Sequence, residues 1–267
     1  MRRRHLCLFL LFTFFLSGTA HAGQQLTVCG TGDSQDLLRT LAASYTSSHP
    51  EVSIEVPDSI GSSGGIRSTA LGQCDLGRVA RPLNEKEKAY HLNYRLFAYT
   101  AVVFVTNHSV KLKDISTEQV IALLSGKITN WRQLGGEDAP VFLAIRYHGD
   151  SNRTALEENI PALKAMPDWA GTVTYSTPET VEAAVRHDYT ITFVPLAMAV
   201  KHRLNIFRLD GIEASADTVR SGAYKLVTPL GLVWKGTLAG AAADFLKFIE
   251  GDEGQQIITR NGAIPAR

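Results

Sequence analysis

The chain has 267 residues, with 27 Lys or Arg against 26 Asp or Glu and a formal net charge of +1 at neutral pH. Charges this evenly balanced supply no basic field for holding nucleic acid. The length is enough to bury one large core or two modest ones.

Met1 to Ala22 opens with Arg2, Arg3 and Arg4, continues as an apolar run from Leu6 to Leu16, and closes on Ala20-His21-Ala22. This is the charged, apolar and small-residue order of a cleavable secretory signal peptide. The run is short for a membrane span. Cys7 lies inside it rather than just after a cleavage site, which argues against a lipid anchor. The expected mature chain starts at Gly23 and carries 24 basic and 26 acidic residues, a net charge of −2. No later segment approaches the length of a transmembrane helix. Cys29 and Cys74 then remain in a compartment that permits disulfides, and a bridge and two small buried thiols are equally compatible with the sequence.

Strand and helix signals alternate from there. "LTVCG" (Leu26 to Gly30) is a short apolar run ending in glycine, and the apolar positions Leu37, Leu38, Leu41, Ala42 and Tyr45 follow at helical spacing. "VSIEV" (Val52 to Val56) alternates like a strand, and a short helix after Gly65 leads to "CDLGRVA". Three further runs read as buried strands: "AVVFVTN" (Ala101 to Asn107), "VFLAIR" (Val141 to Arg146) and "TITFVP" (Thr190 to Pro195). Helices are expected near Thr117 to Leu124, Arg153 to Asn159 and Pro178 to Arg186, and two amphipathic helices close the chain. The pattern is βαβ-like, and the implied class is α/β with a parallel or mixed sheet. No internal repeat or flexible linker interrupts it.

Three turns stand where a strand gives way to a helix: "GTGDS" (Gly30 to Ser34), "GSSGG" (Gly61 to Gly65) and "RYHGDSNRT" (Arg146 to Thr154). Each offers hydroxyls and unpaired backbone N–H groups at a helix N-terminus, where the dipole favours an anion. Singly, each is equally an ordinary N-cap. Together, and without the Gly-Lys-Ser/Thr ending of a nucleotide phosphate loop, they favour a small oxyanion.

In chain order, "IGSSGGIRS", "CDLGRVARPLNEKE", "LLSGKITNWRQLGG", "IRYHGDSNRTALE" and "FLKFIEGDEGQQIITRNGAIPA" resemble the phosphate-binding proteins of bacterial ABC phosphate importers, within the type II periplasmic binding protein superfamily. The resemblance runs over nearly the whole mature chain, and "SGKITNW" and "GSSGG" are its most specific pieces. It implies a periplasmic solute-binding protein, monomeric and non-enzymatic, that hands phosphate to a membrane ABC permease without a cofactor. It also implies an α/β fold of two lobes, each a mixed sheet flanked by helices. Residues 23–97 plus 206–267 would form the first lobe and 98–205 the second, with the ligand in the cleft between them. The crossings are expected near Arg95 to Ala101 and near Phe193 to Leu209, and one sheet continuous across both would overturn this expectation. The strands ending at Cys29 and beginning at Cys74 lie side by side in this superfamily, which would bring the two cysteines within reach of a disulfide.

Carried over position by position, the resemblance puts the first turn's hydroxyl and N–H groups on Ser34 and Gln35, and the second turn's serine on Ser62. The arginine of the third turn falls on Arg146. A family pattern R-x-x-G-S-G-T-R-x-x-F-E then aligns without a gap through Gly149, Asp150, Ser151, Asn152, Arg153, Leu156 and Glu157, so that Asp-Ser-Asn replaces Ser-Gly-Thr. The aspartate expected after the strand at Leu76 is replaced by Ala80, and Arg81 beside it could add a second guanidinium or be a solvated loop arginine. A carboxylate is still needed to tell hydrogen phosphate from sulfate, because only the former has a proton to offer. Asp150, which replaces a family ligand, is the favoured acceptor over its alternative Asp33. Asp150 could equally be a helix cap turned away from the pocket.

A serine hydrolase and a metal protein fit the sequence less well. "VCGTGDSQDLL" resembles the nucleophile block of Gly-Asp-Ser serine hydrolases, but the Gly-x-Asn-Asp block and the late Asp-x-x-His of those enzymes are missing. His49, His91, His108, His148, His187 and His202 lack metal-ligand spacing. A sensory or structural relative, or a carrier of another oxyanion, shares every motif above.

Overall fold

The alternation of elements places every strand-to-helix turn of interest at the carboxyl end of a strand. The structure, a computed structural model, describes residues 24–266, so the expected signal peptide lies outside the described residues. Its strands are β1 (Gln24–Gly30), β2 (Val52–Glu55), β3 (Leu76–Val79), β4 (Leu92–Thr106), β5 (Asp114–Ile115), β6 (Phe142–Arg146), β7 (Thr172–Thr174), β8 (Thr190–Pro195), β9 (Asn205–Ile206), β10 (Arg208–Leu209), β11 (Val227–Lys235) and β12 (Ile264–Pro265). Its helices are α1 (Gln35–Ser48), α2 (Gly61–Ala70), α3 (Thr117–Leu124), α4 (Ser151–Asn159), α5 (Pro161–Lys164), α6 (Thr177–Arg186), α7 (Leu196–Lys201), α8 (Ala216–Arg220), α9 (Gly240–Glu250) and α10 (Asp252–Arg260).

The hydrogen-bonded strand order is β2-β1-β3-β11-β4-β8-β6-β7. β1 runs parallel to β2 and β3, β6 runs parallel to β7 and β8, and the joins through β11 and β4 are antiparallel. The strand path is therefore continuous, the arrangement that the expected crossings ruled out. The apolar side chains nevertheless gather into two large clusters. One holds Leu38, Leu41, Leu76, Phe97, Leu232, Phe245 and Ile258. The other holds Val103, Trp131, Leu156, Leu163, Phe193, Phe207 and Leu226.

The element that links the two is β4, which is long enough to serve both. Up to Ala101 it pairs with β11, and from Val102 onward with β8. Continuity of hydrogen bonding thus comes from a shared strand, and it does not merge the cores. The chain returns later than the sequence suggested. Phe207, Ala214, Tyr224 and Leu226 pack with the second core, whereas residues from 206 on were expected to belong to the first. The strand that rejoins the first core is β11, whose Leu230 and Leu232 are buried there.

Helix α2 begins at Gly61, not after Gly65, so the glycine-serine run forms the helix's own first turn. Small residues are required for this. A Cβ on Gly65 would stand 2.7 Å from the Gly30 Cα and 2.9 Å from the Cys29 carbonyl oxygen, so the helix can only approach the end of β1 without a side chain there. Cys29 and Cys74 are joined by a disulfide with their Cα atoms 6.2 Å apart. It ties the end of β1 to the segment entering β3, just beneath the first turn. Below the same turn lies Arg78, fully buried. Its guanidinium donates to the carbonyls of Val28, Thr31 and Pro57 and to the Gln35 side chain. Burial, with Arg39 nearby, lowers its pKa to about 10, against the opposing effect of Asp58.

Candidate functional site

A polar cavity lies between the two cores. Thr31, Gly32, Ser59, Gly61, Ser62, Ser63 and Arg81 line it from one side, and Arg146, Tyr147, Gly149, Asp150, Ser151 and Thr177 from the other. Four helix N-termini converge on it, those of α1, α2, α4 and α6. The positive ends of the helix dipoles therefore face one small space.

Arg146 ends β6 and is almost fully buried. Its Nη2 donates to Asp150 Oδ2 at 2.7 Å and its Nη1 to Thr180 Oγ1 at 3.2 Å, while Nε has no protein partner. Asp150 is at once cap and cavity wall. Its Oδ1 accepts from the backbone N–H groups of Asn152 and Arg153 at the start of α4, and its Oδ2 takes the arginine. The two roles held apart in the sequence are thus combined, and both oxygens of this carboxylate already have protein donors. Arg153 anchors the turn from behind: it pairs with Glu157, donates to the Arg146 carbonyl and lies over the Trp169 ring.

The two sides also bond to each other directly. Ser62 Oγ, which accepts from the Ala80 N–H, lies 3.3 Å from Ser151 Oγ. Asp33 Oδ1 accepts from Thr177 Oγ1 at 2.6 Å and from Asn152 Nδ2 at 3.0 Å. The second oxygen of Asp33 is buried without a partner. Burial, and next the charge of Asp150, push the Asp33 carboxyl from 3.8 up to about 6, against Thr177, Arg146 and Asn152, which favour the ionised form. Gly32 touches the opposite side so closely that a Cβ would meet Pro178 Cδ at 2.8 Å.

The sequence-derived residues divide by these contacts. Ser62, Arg81, Arg146, Asp150 and Ser151 line the cavity. Asn152 is turned to Asp33 and its Oδ1 is unpartnered, as is the buried Ser34 Oγ. The Gln35 side chain faces Arg78 and Asp58, so only its backbone belongs to the first turn. Arg81 is neither a free ligand nor a solvated arginine. It is held by both oxygens of Glu87, at 2.6 and 2.7 Å, and donates to Ser63 Oγ. Sequence reasoning passed over Thr31, Gly32, Ser59, Tyr147 and Thr177. Thr177 carried a readable signal: "STPE" is a capping box with proline in the first turn, the same strand-to-helix junction as the other three.

No histidine lines the cavity, and among the described residues no cluster of His, Cys, Asp or Glu is placed to hold a metal ion. Four helix starts, a buried guanidinium and hydroxyls from both cores make a cleft suited to enclosing an anion of a few atoms. A family model described as a PBP superfamily domain matches residues 17–253. The chain belongs to the PBP superfamily. It is 26% identical over 256 residues to the phosphate-binding protein PstS of Bacillus subtilis, covering 93% of this chain and 83% of that one. The structure is similar to that of a phosphate ABC transporter substrate-binding protein with bound phosphate from Clostridium perfringens, with a TM-score of 0.81 and 26% identity, covering 91% of this chain and all of the other. An ABC-type phosphate transport receptor from Vibrio cholerae shares the fold at a TM-score of 0.66 and 21% identity, over 90% of this chain and 99% of that one. The two cores are accordingly the two lobes of a superfamily fold, with the cavity in the cleft.

Proposed function

We propose that this chain is the solute-binding component of an ABC importer and captures inorganic phosphate in the cleft. The observation that carries the reading is the Arg146 guanidinium. It is buried at the end of β6 with Nε lacking a protein partner, beside four helix N-termini that converge on the same cavity. An anion entering there satisfies that donor and the helix-start N–H groups at once. The relatives named for phosphate binding support the choice of ligand. The protein binds and releases; no bond is made or broken.

In this reading β4 and β11 are the hinge strands. Residues 24 to about 100, with 227 to the C-terminus, move against the rest. The direct bonds from Asp33 and Ser62 to the opposite lobe, and the close approach of Gly32 to it, describe the closed form. The exported, monomeric protein would present this closed form to its membrane permease, and residues 1–22 would direct export.

Calorimetry of protein stripped by mild unfolding, titrated with phosphate, sulfate, molybdate and small phosphonates, tests the proposal. Phosphate is expected to bind most tightly, with one site per chain. Preference for another oxyanion, or no binding of any, overturns it.

A further inference from the structure

Asp33 is a buried carboxylate with no cation of its own. The cavity's buried guanidinium, Arg146, is engaged by Asp150. Arg153 is turned to Glu157 and to the Arg146 carbonyl, and Arg81 is neutralised by Glu87. On its own lobe, Arg78 lies behind the turn and is bonded to carbonyls and Gln35, while Asp36 is paired with Lys201. From α6, Glu179 is turned back to cap its own helix through the Tyr175 and Ser176 N–H groups, and the exposed His148 lies beside Glu157. What Asp33 does have is two neutral donors on Oδ1, Thr177 and Asn152, and a bare, buried Oδ2.

An anion placed in the cavity lands beside Asp150 and beside Thr177, whose hydroxyl is bonded to the Asp33 carboxylate. Two ionised carboxylates and an anion around one guanidinium carry an uncompensated negative charge in a site walled off from water, which is unfavourable. The conflict is removed most cheaply at Asp33, since Asp150 is stabilised as an anion by Arg146 and two helix N–H groups. Protonation at Oδ2 leaves both existing bonds to Oδ1 intact and turns a bare acceptor into a donor.

We infer that Asp33 takes up a proton from solvent when the anion binds, and that it serves the closed cleft as a neutral carboxylic acid. The inference rests on the proposed anion-binding reading and deepens it. It assigns Asp33 the part of a proton-bearing latch, bonded across the cleft through one oxygen and carrying the proton on the other. With its carboxyl raised to about 6 by burial and by Asp150, Asp33 needs little further negative charge nearby to hold a proton near neutrality. By linkage, the affinity then falls as pH rises above that range.

Phosphate calorimetry at about pH 7, in buffers of different ionisation enthalpy, counts the protons exchanged. The native protein is expected to take up roughly half to one proton per phosphate beyond what the ligand's own titration supplies. Asp33→Asn, which keeps the Oδ1 acceptor and places an N–H donor where the proton would sit, should abolish that uptake. It should also tighten phosphate several-fold, because the cost of protonation is gone. Equal proton counts in the two proteins, or weaker binding by Asp33→Asn, overturn the inference while leaving anion capture standing. A native protein that binds no phosphate instead removes the functional reading and this inference with it.

Discussion

Replacing Arg146 by alanine removes the buried guanidinium and leaves the cavity-lining Asp150, and the buried Asp33 that its charge also reaches, without it. In the native protein the arginine offsets Asp150 at 2.7 Å, is positioned by Thr180, and keeps Nε available. Breaking a buried, hydrogen-bonded charge pair at a binding site costs about 2–5 kcal/mol. That range corresponds to roughly 30-fold to several-thousand-fold in Kd. The upper half is expected here, since the variant loses an attraction and also exposes the ligand to Asp150 without its counter-ion. Arg146→Lys should fall between, because an ammonium keeps the charge but cannot hold Asp150 and the ligand through one planar fork. The assay is phosphate calorimetry at a temperature well below each variant's unfolding midpoint, so that lost affinity is not confused with lost fold. An alanine variant that binds within about threefold of the native protein would refute the placement of the anion beside Arg146.

The disulfide closes a loop with a sequence separation of 45, worth about 4 kcal/mol by loop-closure entropy; reductant should lower the unfolding midpoint, and intact mass after alkylation that found two free thiols would contradict the bridge. Gly32→Ala places a Cβ 2.8 Å from Pro178 Cδ and 3.0 Å from Thr177 Cβ on the opposite lobe. It should weaken phosphate by about 1–3 kcal/mol through overpacking of the closed form, with little change in either core, and small-angle scattering should show an open molecule in the presence of ligand. A variant that closes like the native protein would disprove the contact. Asp33, with its carboxyl raised from 3.8 to about 6, contributes stability that is fully present below about pH 4 and is lost as pH rises through 6, up to about 3 kcal/mol. Urea midpoints of native protein and Asp33→Asn should therefore diverge over that window, with the variant the more stable at neutral pH, and parallel curves would refute the burial of an ionisable group there.

Much of the fold was legible because its elements are locally consistent. Thr117 to Leu124 and Thr190 to Pro195 coincide with α3 and β8, the one because an apolar stripe follows a Ser116–Gln119 capping box, the other because a six-residue run rich in β-branched residues and closed by proline is too short for a helix. The boundary between lobes was not legible. Short elements at β9, β10 and α8 carry too few apolar residues to declare which core they serve, and only the placement of Phe207, Tyr224 and Leu226 decides it. The family-specific "SGKITNW" is likewise not a ligand motif in its position here. Asn130 caps a tight helical turn and Trp131 is buried in the second core, donating to the Tyr189 carbonyl. Its specificity reflects packing.

The site was legible as far as backbone chemistry reaches. Small polar residues at strand-to-helix junctions announce donors, and the turns at residues 30–34, 61–65 and 146–154 do converge. What a linear reading could not supply is which side chains meet across the cleft. Asp150 ranked above Asp33 in the sequence because it occupies a family ligand position, yet the fold fills both of its oxygens from its own turn and its own arginine. Asp33 is bonded instead to residues 119 and 144 positions away along the chain. Those contacts give it the bare buried oxygen that makes it the chemically unsettled group of the cleft. Both of its donors stand across the cleft, so any change in its protonation must act on cleft closure.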